Sequence, residues 1–276
     1  MKMRMLTYSP LDSPLHRLSG AAKLIFFILW AVTVMVTFDT RSLLVMLLFA
    51  LILLRVSRIK LRDYAFVLYL ILIFFALNHL AIFLFSPLEG VSLYGTRHDL
   101  FPIAGRYIVT EEQLFYQFNV ALKYVTVIPM ALLFMLTTEP GEFAASLHRV
   151  GISYRIAYAV SIALRYIPDV QRDYENIACA AQARGIDISR KEKLTRRVRN
   201  MIGILLPLIL TSVQRIETIS AAMELRSFGQ HRKRTWYNGR PFTWMDYFVI
   251  ILIILIAAVS TYVTFQDGSR FYNPFQ

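Results

Sequence analysis

The sequence predicts an all-α integral membrane protein, with about five transmembrane helices and a cytoplasmic domain of long crossed helices. Three observations carry this prediction. Hydrophobic residues make up 57% of the 276 positions and aromatic ones 14%, a composition suited to lipid rather than water. Apolar runs occur at about 22–38, 43–56, 64–86, 114–138 and 242–265, against the roughly 17–25 residues that a spanning helix needs. With the N-terminus placed inside, 25 of the 30 Lys and Arg residues fall on the inner side, the asymmetry expected of cytoplasmic segments.

Residues 1–138 form the membrane domain, with four of the spans. Met1–Lys23 is polar and basic, and no Ala-x-Ala-type cleavage site follows it. The first apolar run is therefore expected to be a span rather than a signal peptide. The second run is the shortest, and tilting, extension by flanking residues or a partly re-entrant path would each accommodate it. A basic turn at 57–63 leads to the third span. The outer loop at 87–113 contains Pro87, Gly90, Gly95, Pro102 and Gly105, with Glu89, Asp99, Glu111 and Glu112 as its acids. Its composition predicts order in part of the loop only.

Residues 139–241 are too polar to span repeatedly and too apolar for a tail. Thr138-Glu139-Pro140-Gly141-Glu142 reads as a helix start. One helix is expected from about Tyr154 to Arg184, with Pro168 as a kink near its middle. A second is expected from about Lys191 to Arg226. It opens on Arg190, Lys191, Lys193, Arg196, Arg197 and Arg199, which suit anionic headgroups. It then turns apolar over Met201–Val213, 13 residues containing Pro207, too short to cross and suited to a buried or interfacial helix. Arg232-Lys233-Arg234, Trp236, Tyr237, Trp244 and Tyr247 prepare the last span as an interfacial anchor. Residues 242–276 hold that span and a short outer tail.

The outer segments hold only Arg41, Arg97, Arg106 and Arg270 among the basic residues, and Lys123 lies within a span. The net charge of +12 is thus explained by topology, and nucleic acid is not needed as a partner. The expected location is the plasma membrane of a prokaryote, with N-terminus and residues 139–241 cytoplasmic and the C-terminus outside. Cys179 is the single cysteine, so an intramolecular disulfide is excluded. No Gly-x-x-x-x-Gly-Lys-Ser/Thr segment is present, so the chain cannot hold a nucleotide by that device. The histidines His16, His79, His98, His148 and His231 are scattered and read as surface or packing residues. No catalytic group and no metal site is expected. Asn78, His79, Asn119 and Lys123 lie near span ends, where snorkelling or a mutual hydrogen bond would satisfy them.

One internal similarity stands out. At an offset of 42 residues Glu175 falls on Glu217, Ile177 on Ile219, Ala180 on Ala222 and Arg184 on Arg226. Taken singly, Arg184-Gly185 is a helix C-terminus with a cation at the dipole's negative end and Gly in the left-handed position. Ser227, with Gly229 two residues on, fits that reading less cleanly. Two copies point instead to docking: small residues let the helices cross closely, and each guanidinium can fork onto carboxylates or carbonyls of a soluble partner.

Ser13-Pro14-Leu15-His16-Arg17-Leu18 followed by Lys23-Leu24, then Arg165-Tyr166-Ile167-Pro168, then Ala183-Arg184-Gly185 with a second Arg motif downstream, resemble the transmembrane T component of energy-coupling factor transporters. The resemblance covers nearly the whole chain. It implies a coupling domain whose two long helices cross and press their Arg tips into two ATP-binding cassette subunits, beside a membrane S component that binds the substrate. It implies Ala183, Arg184, Gly185, Leu225, Arg226 and Ser227 as docking residues, and Glu175, Glu217, Pro168 and Pro207 as supports of the coupling helices. It implies no cofactor on this chain, with ATP and Mg on the partner subunits, and no enzymatic activity of its own. The second motif departs, reading Leu225-Arg226-Ser227 where the family often has Ala-Arg-Gly. So does the start, where Ser19-Gly20-Ala21-Ala22-Lys23 replaces Asp-Pro-Arg-Thr-Lys. The expected cargo is a vitamin or vitamin precursor, with a cobalt or nickel ion as the alternative. A lipid or prenyl transferase is a further reading and would rest on Glu139 and Glu142 or Asp169 and Asp173. A self-sufficient channel or carrier is a third, and would place more polar groups at mid-membrane.

Overall fold

The computed structural model describes residues 14–57, 65–104, 107–186, 193–230, 235–237, 239–266 and 271–275. Much of the basic turn at 57–63, Arg190, Lys191, Arg232-Lys233-Arg234, His231, Arg106 and Arg270 lie outside the described residues. The chain divides into two compact units, one made of residues 1–139 and 240–276, the other of 140–239.

The first unit holds α1 (Pro14–Arg17), α2 (Gly20–Val36), α3 (Thr40–Val56), α4 (Ala65–Phe85), α5 (Glu89–Tyr94), β1 (Asp99–Ala104), β2 (Tyr107–Thr110), α6 (Glu111–Thr137) and α10 (Trp244–Gln266). The five long helices begin and end within three residues of the apolar runs in the sequence. Caps set their starts. The Ser19 hydroxyl accepts from the Ala22 amide at 3.3 Å, the Asp39 carboxylate from Arg41 at 2.9 Å, and Thr110 Oγ1 from Gln113 at 3.2 Å, each satisfying an orphan N–H of a first turn.

Phe26, Trp30 and Val34 of α2 form the core with Leu43, Met46 and Ala50 of α3, Leu122 and Met130 of α6 and Ile253 of α10. Trp30 is fully buried, and its indole N–H donates to Thr126 O at 3.3 Å. Such a ring, deleted to Ala, typically costs about 3–5 kcal/mol. By contrast α4 buries none of its described side chains, and it meets α6 where Leu68 packs on Leu132 and Leu136.

Polar side chains tie the helices together at both ends. The buried Lys23 amine donates to Thr137 O at 2.7 Å, a cation at the negative end of α6. Asp246 is fully buried, accepting from Ser19 N at 2.7 Å through one oxygen and from the Thr243 amide and hydroxyl at 2.7 and 2.8 Å through the other. At the opposite end Lys123 does not snorkel. It is 6% exposed, donates to Met35 O at 2.9 Å and lies 3.0 Å from the Phe38 ring centre, so a neighbouring helix end and an aromatic face satisfy it. Asn119 accepts from Thr40 Oγ1 at 2.7 Å and donates to the Tyr94 hydroxyl at 3.5 Å. Asn78 Oδ1 and His79 Nε2 are buried without a partner among the described residues.

The outer loop is more ordered than its composition predicts. Its described residues form α5 and an antiparallel β1–β2 hairpin. The reason lies at the start of α6. Gln113 accepts from Gly90 N at 2.8 Å and donates to Ser86 O at 3.2 Å, while Glu112 takes the His98 amide at 3.1 Å and its ring Nδ1 at 2.7 Å. Gly90 is required there, because a Cβ would stand 2.3 Å from Glu112 O. The Tyr94 phenol, at the end of α5, is held above its usual pKa by burial.

The second unit is helical: α7 (Pro140–Arg149), α8 (Tyr154–Ala183) and α9 (Leu194–Leu225). Ala144, Ala145 and Ala157 are buried where α7 and α8 pack closely. The apolar stretch of α9 also differs from expectation. By length and composition α4, α6, α9 and α10 can each cross a membrane, and α2 is a shorter apolar helix. The 13-residue run reads as too short, but Arg215 and Glu217 are the only charges between Met201 and Met223, and the helix continues without a break.

Candidate functional site

Both long helices of the second unit end in the same backbone device. At the end of α8 the Gly185 amide donates to Gln182 O at 2.9 Å and the Ile186 amide to Ala181 O at 3.1 Å. At the end of α9 the Ser227 amide donates to Glu224 O at 2.9 Å and the Phe228 amide to Met223 O at 3.0 Å. These are the paired 5→2 and 6→1 bonds of a Schellman motif, which satisfy the orphan carbonyls of a last turn. Arg184 and Arg226 occupy equivalent cap positions, with φ, ψ of −88°, 10° and −91°, 13°. Gly185 follows at φ 79° and Ser227 at φ 53°.

Ser227 thus takes the left-handed position itself, rather than leaving it to Gly229. It is the one non-glycine residue with positive φ among the described residues. That conformation costs an L-residue on the order of 1 kcal/mol, and a contact described below offsets it. The tips are exposed. Ala183, Arg184 and Gly185 are all solvent-facing, as is Arg226, and Leu225 is 88% exposed.

The helices behind the tips are antiparallel neighbours. Arg215 of α9 donates to Asp173 of α8 at 2.7 Å, and its guanidinium lies 5.6 Å from the Tyr166 ring centre. Further along, Phe228 packs on Tyr158 at 4.6 Å and on Tyr154 at 5.8 Å, and Trp236 meets both tyrosines at 6.4 and 5.4 Å. His148 of α7 closes the cluster against Tyr154 and Trp236. The residue after the second left-handed position is therefore clamped by rings, whereas Ile186 is 37% exposed.

The expected supports fall in different surroundings. Pro168 and Pro207 lie inside continuous helices; each removes one i→i−4 bond, leaving Leu164 O and Gly203 O without that amide. Glu175 and Glu217 are exposed and make no ion pair among the described residues. Asp173 and Arg215, two positions before each of them, make the interhelical contact. The offset of 42 carries Asp173 onto Arg215. Opposite charges at equivalent positions are the signal that could have found the pair.

The outward face of α9 is apolar. Ile202, Leu205, Leu206, Ile209, Leu210, Val213 and Ile216 are exposed, while Ile204 and Leu208 are buried. At about 100° per residue the exposed set covers one side of the helix, and Ile204, Leu208 and Arg215 share the other.

A family model described as "Cobalt transport protein" (CbiQ) matches residues 12–237. Curated relatives extend the likeness over more than nine-tenths of the chain. The transmembrane protein EcfT of the energy-coupling factor transporter from Bacillus selenitireducens is 30% identical over 273 residues, covering 95% of this chain and 97% of its own. Its counterpart from Brevibacillus brevis is 28% identical over 263 residues, covering 91% and 94%. The chain belongs to this family of transporter membrane subunits. As an EcfT-like T component it is an all-α membrane protein of a transporter, which accounts for the apolar side chains exposed on α4 and α9. The match of the family model ends one residue after Trp236, so it includes both Arg tips and the aromatic clamp.

Proposed function

We infer that the chain is the mechanical coupler of an ATP-driven importer. Two ATP-binding subunits dock on the tips at Ala183-Arg184-Gly185 and Leu225-Arg226-Ser227. A membrane S component, which binds a vitamin or vitamin precursor, rests on the apolar face of α9. ATP binding draws the two ATPases together and carries the tips with them. Helices α8 and α9 are stiff and packed on one another, so tip displacement becomes sliding or rotation of the apolar face under the S component. ATP and Mg stay on the partner subunits, and this chain catalyses no reaction. The N-terminus and the second unit are cytoplasmic in this reading, with the C-terminus outside, in the plasma membrane.

The observation that carries this reading is the repeated tip: two helices, one backbone device, and an arginine presented at the same position of each. The description of the matching family favours a second cargo, a cobalt ion, on the same coupler. In either case the S component recognises the cargo.

The double variant Arg184→Ala, Arg226→Ala tests the docking. It is expected to insert normally, because both side chains sit at exposed helix ends. Co-purification of the ATP-binding subunits and substrate uptake should both fall by at least tenfold, the scale of losing charge-assisted hydrogen bonds at two sites. Full assembly together with full uptake in the double variant sinks the reading.

A further inference from the structure

We propose that Asp173 and Arg215 are positioning residues: their ion pair is the fulcrum that pins the crossing of α8 and α9, so that the two Arg tips swing in register about one fixed point. This rests on the coupler reading above.

The geometry is specific. The pair joins α8 to α9 at 2.7 Å, with Arg215 also over Tyr166. Asp173 lies 11 residues before Arg184, and Arg215 lies 11 residues before Arg226. At 1.5 Å per residue each arm is roughly 16 Å long, so the tips are joined through the pair by about 33 Å of helix. Equal arms follow from a contact that links equivalent positions of the two copies. A load applied at one tip therefore acts on the fulcrum with the same leverage as a load at the other.

The surroundings make this contact the natural place for the task. Toward the tip of α9, the ring cluster of Phe228, Tyr154, Tyr158 and Trp236 grips the helix end. Toward the tip of α8, small and exposed residues (Ala180, Gln182, Ala183) offer little grip. Ala178 is buried there, but it is the only buried residue of α8 beyond Ala157. The single Nη2–Oδ2 hydrogen bond, with the guanidinium 5.6 Å from the Tyr166 ring centre, sets one point of contact between the helices, which apolar contact between smooth helices does not. The two side chains are 31% and 26% exposed, so the pair is worth most as a geometric constraint rather than as a source of stability.

The test uses the full transporter complex and the isolated chain, with exposed Cys179 replaced by Ser and spin labels at Gln182→Cys and Glu224→Cys. Asp173→Asn keeps size and hydrogen bonding, Arg215→Gln keeps an N–H donor on a shorter side chain, and each removes the charge pair. Each is expected to broaden the label-to-label distance distribution and to lower uptake about fivefold or more, with ATP hydrolysis and subunit assembly retained. The charge swap Asp173→Arg with Arg215→Asp is expected to restore the narrow distribution and recover most uptake. An unchanged distribution in both single variants, or a swap that restores nothing, overturns the proposal. The isolated chain separates the two ideas. If no ATPase binds the tips but charge removal still broadens the distances and the swap still narrows them, the fulcrum stands and the docking reading fails.

Discussion

The tip at Arg184 and the tip at Arg226 reach one geometry by different means. At the first, Gly185 adopts the left-handed conformation without strain and the residue after it stays half-open to solvent. At the second, Ser227 adopts it under strain, and Phe228 is seated among Tyr154, Tyr158 and Trp236. One tip is held by backbone freedom, the other by side-chain packing. The difference teaches that a departure in the motif need not be a departure in the structure. It also makes the tips unequal as surfaces, since Leu225 is an exposed apolar group where the first copy has the methyl of Ala183.

Four substitutions at three positions probe this contrast. The largest effect is expected from Phe228→Ala, which removes the clamp and leaves Ser227 strained. It should destabilise the second tip by roughly 2–3 kcal/mol, at the lower end for deleting a packed ring because Phe228 is half-buried. Hydrogen exchange over residues 222–230 would report it, and protection equal to the native chain would show that the rings do not hold the tip. Next, Gly185→Val forces a β-branched residue into the left-handed region at about 1–2 kcal/mol, with faster exchange confined to residues 181–186. Gly185→Ala should cost less than Gly185→Val, and equal losses would point to a lost contact rather than to backbone strain. The smallest change is the relief of strain by Ser227→Gly, expected to slow exchange at the second tip by an amount equal to about 0.5–1 kcal/mol. If Ser227→Gly accelerates exchange instead, the hydroxyl is doing more than the backbone.

Much of the first unit was legible because helix ends depend on local composition. Trp30, Leu43 and Ile253 lie in apolar runs whose limits any hydropathy reading finds. The links between those runs were not legible. Lys123 reaching Met35, Asp246 reaching Ser19 and Glu112 reaching His98 join positions 14 to 227 residues apart, and nothing local marks the partner. The same holds for the outer hairpin, whose order depends on Gln113 gripping Gly90 and Ser86. At the candidate site the tips were legible as a repeat, down to the cap role of Arg184. Ser227 looked like an imperfect match because sequence reading weighs residue preference, whereas the clamp that overrides it comes from Tyr154 and Tyr158 some 70 residues earlier.

The seam at Asp246 has a consequence for biosynthesis. The carboxylate that receives the Ser19 amide, and the Ile253 side chain that completes the core around Trp30, are translated after the entire 140–239 unit. At roughly 5–20 residues per second, the ribosome needs about 5–20 s for those hundred residues. During that interval the earlier helices wait in the bilayer with one wall of their bundle missing. The nascent protein is thus open to a chaperone, or to quality-control proteolysis, for longer than its final compactness implies. Truncation after residue 239 would make that transient species permanent.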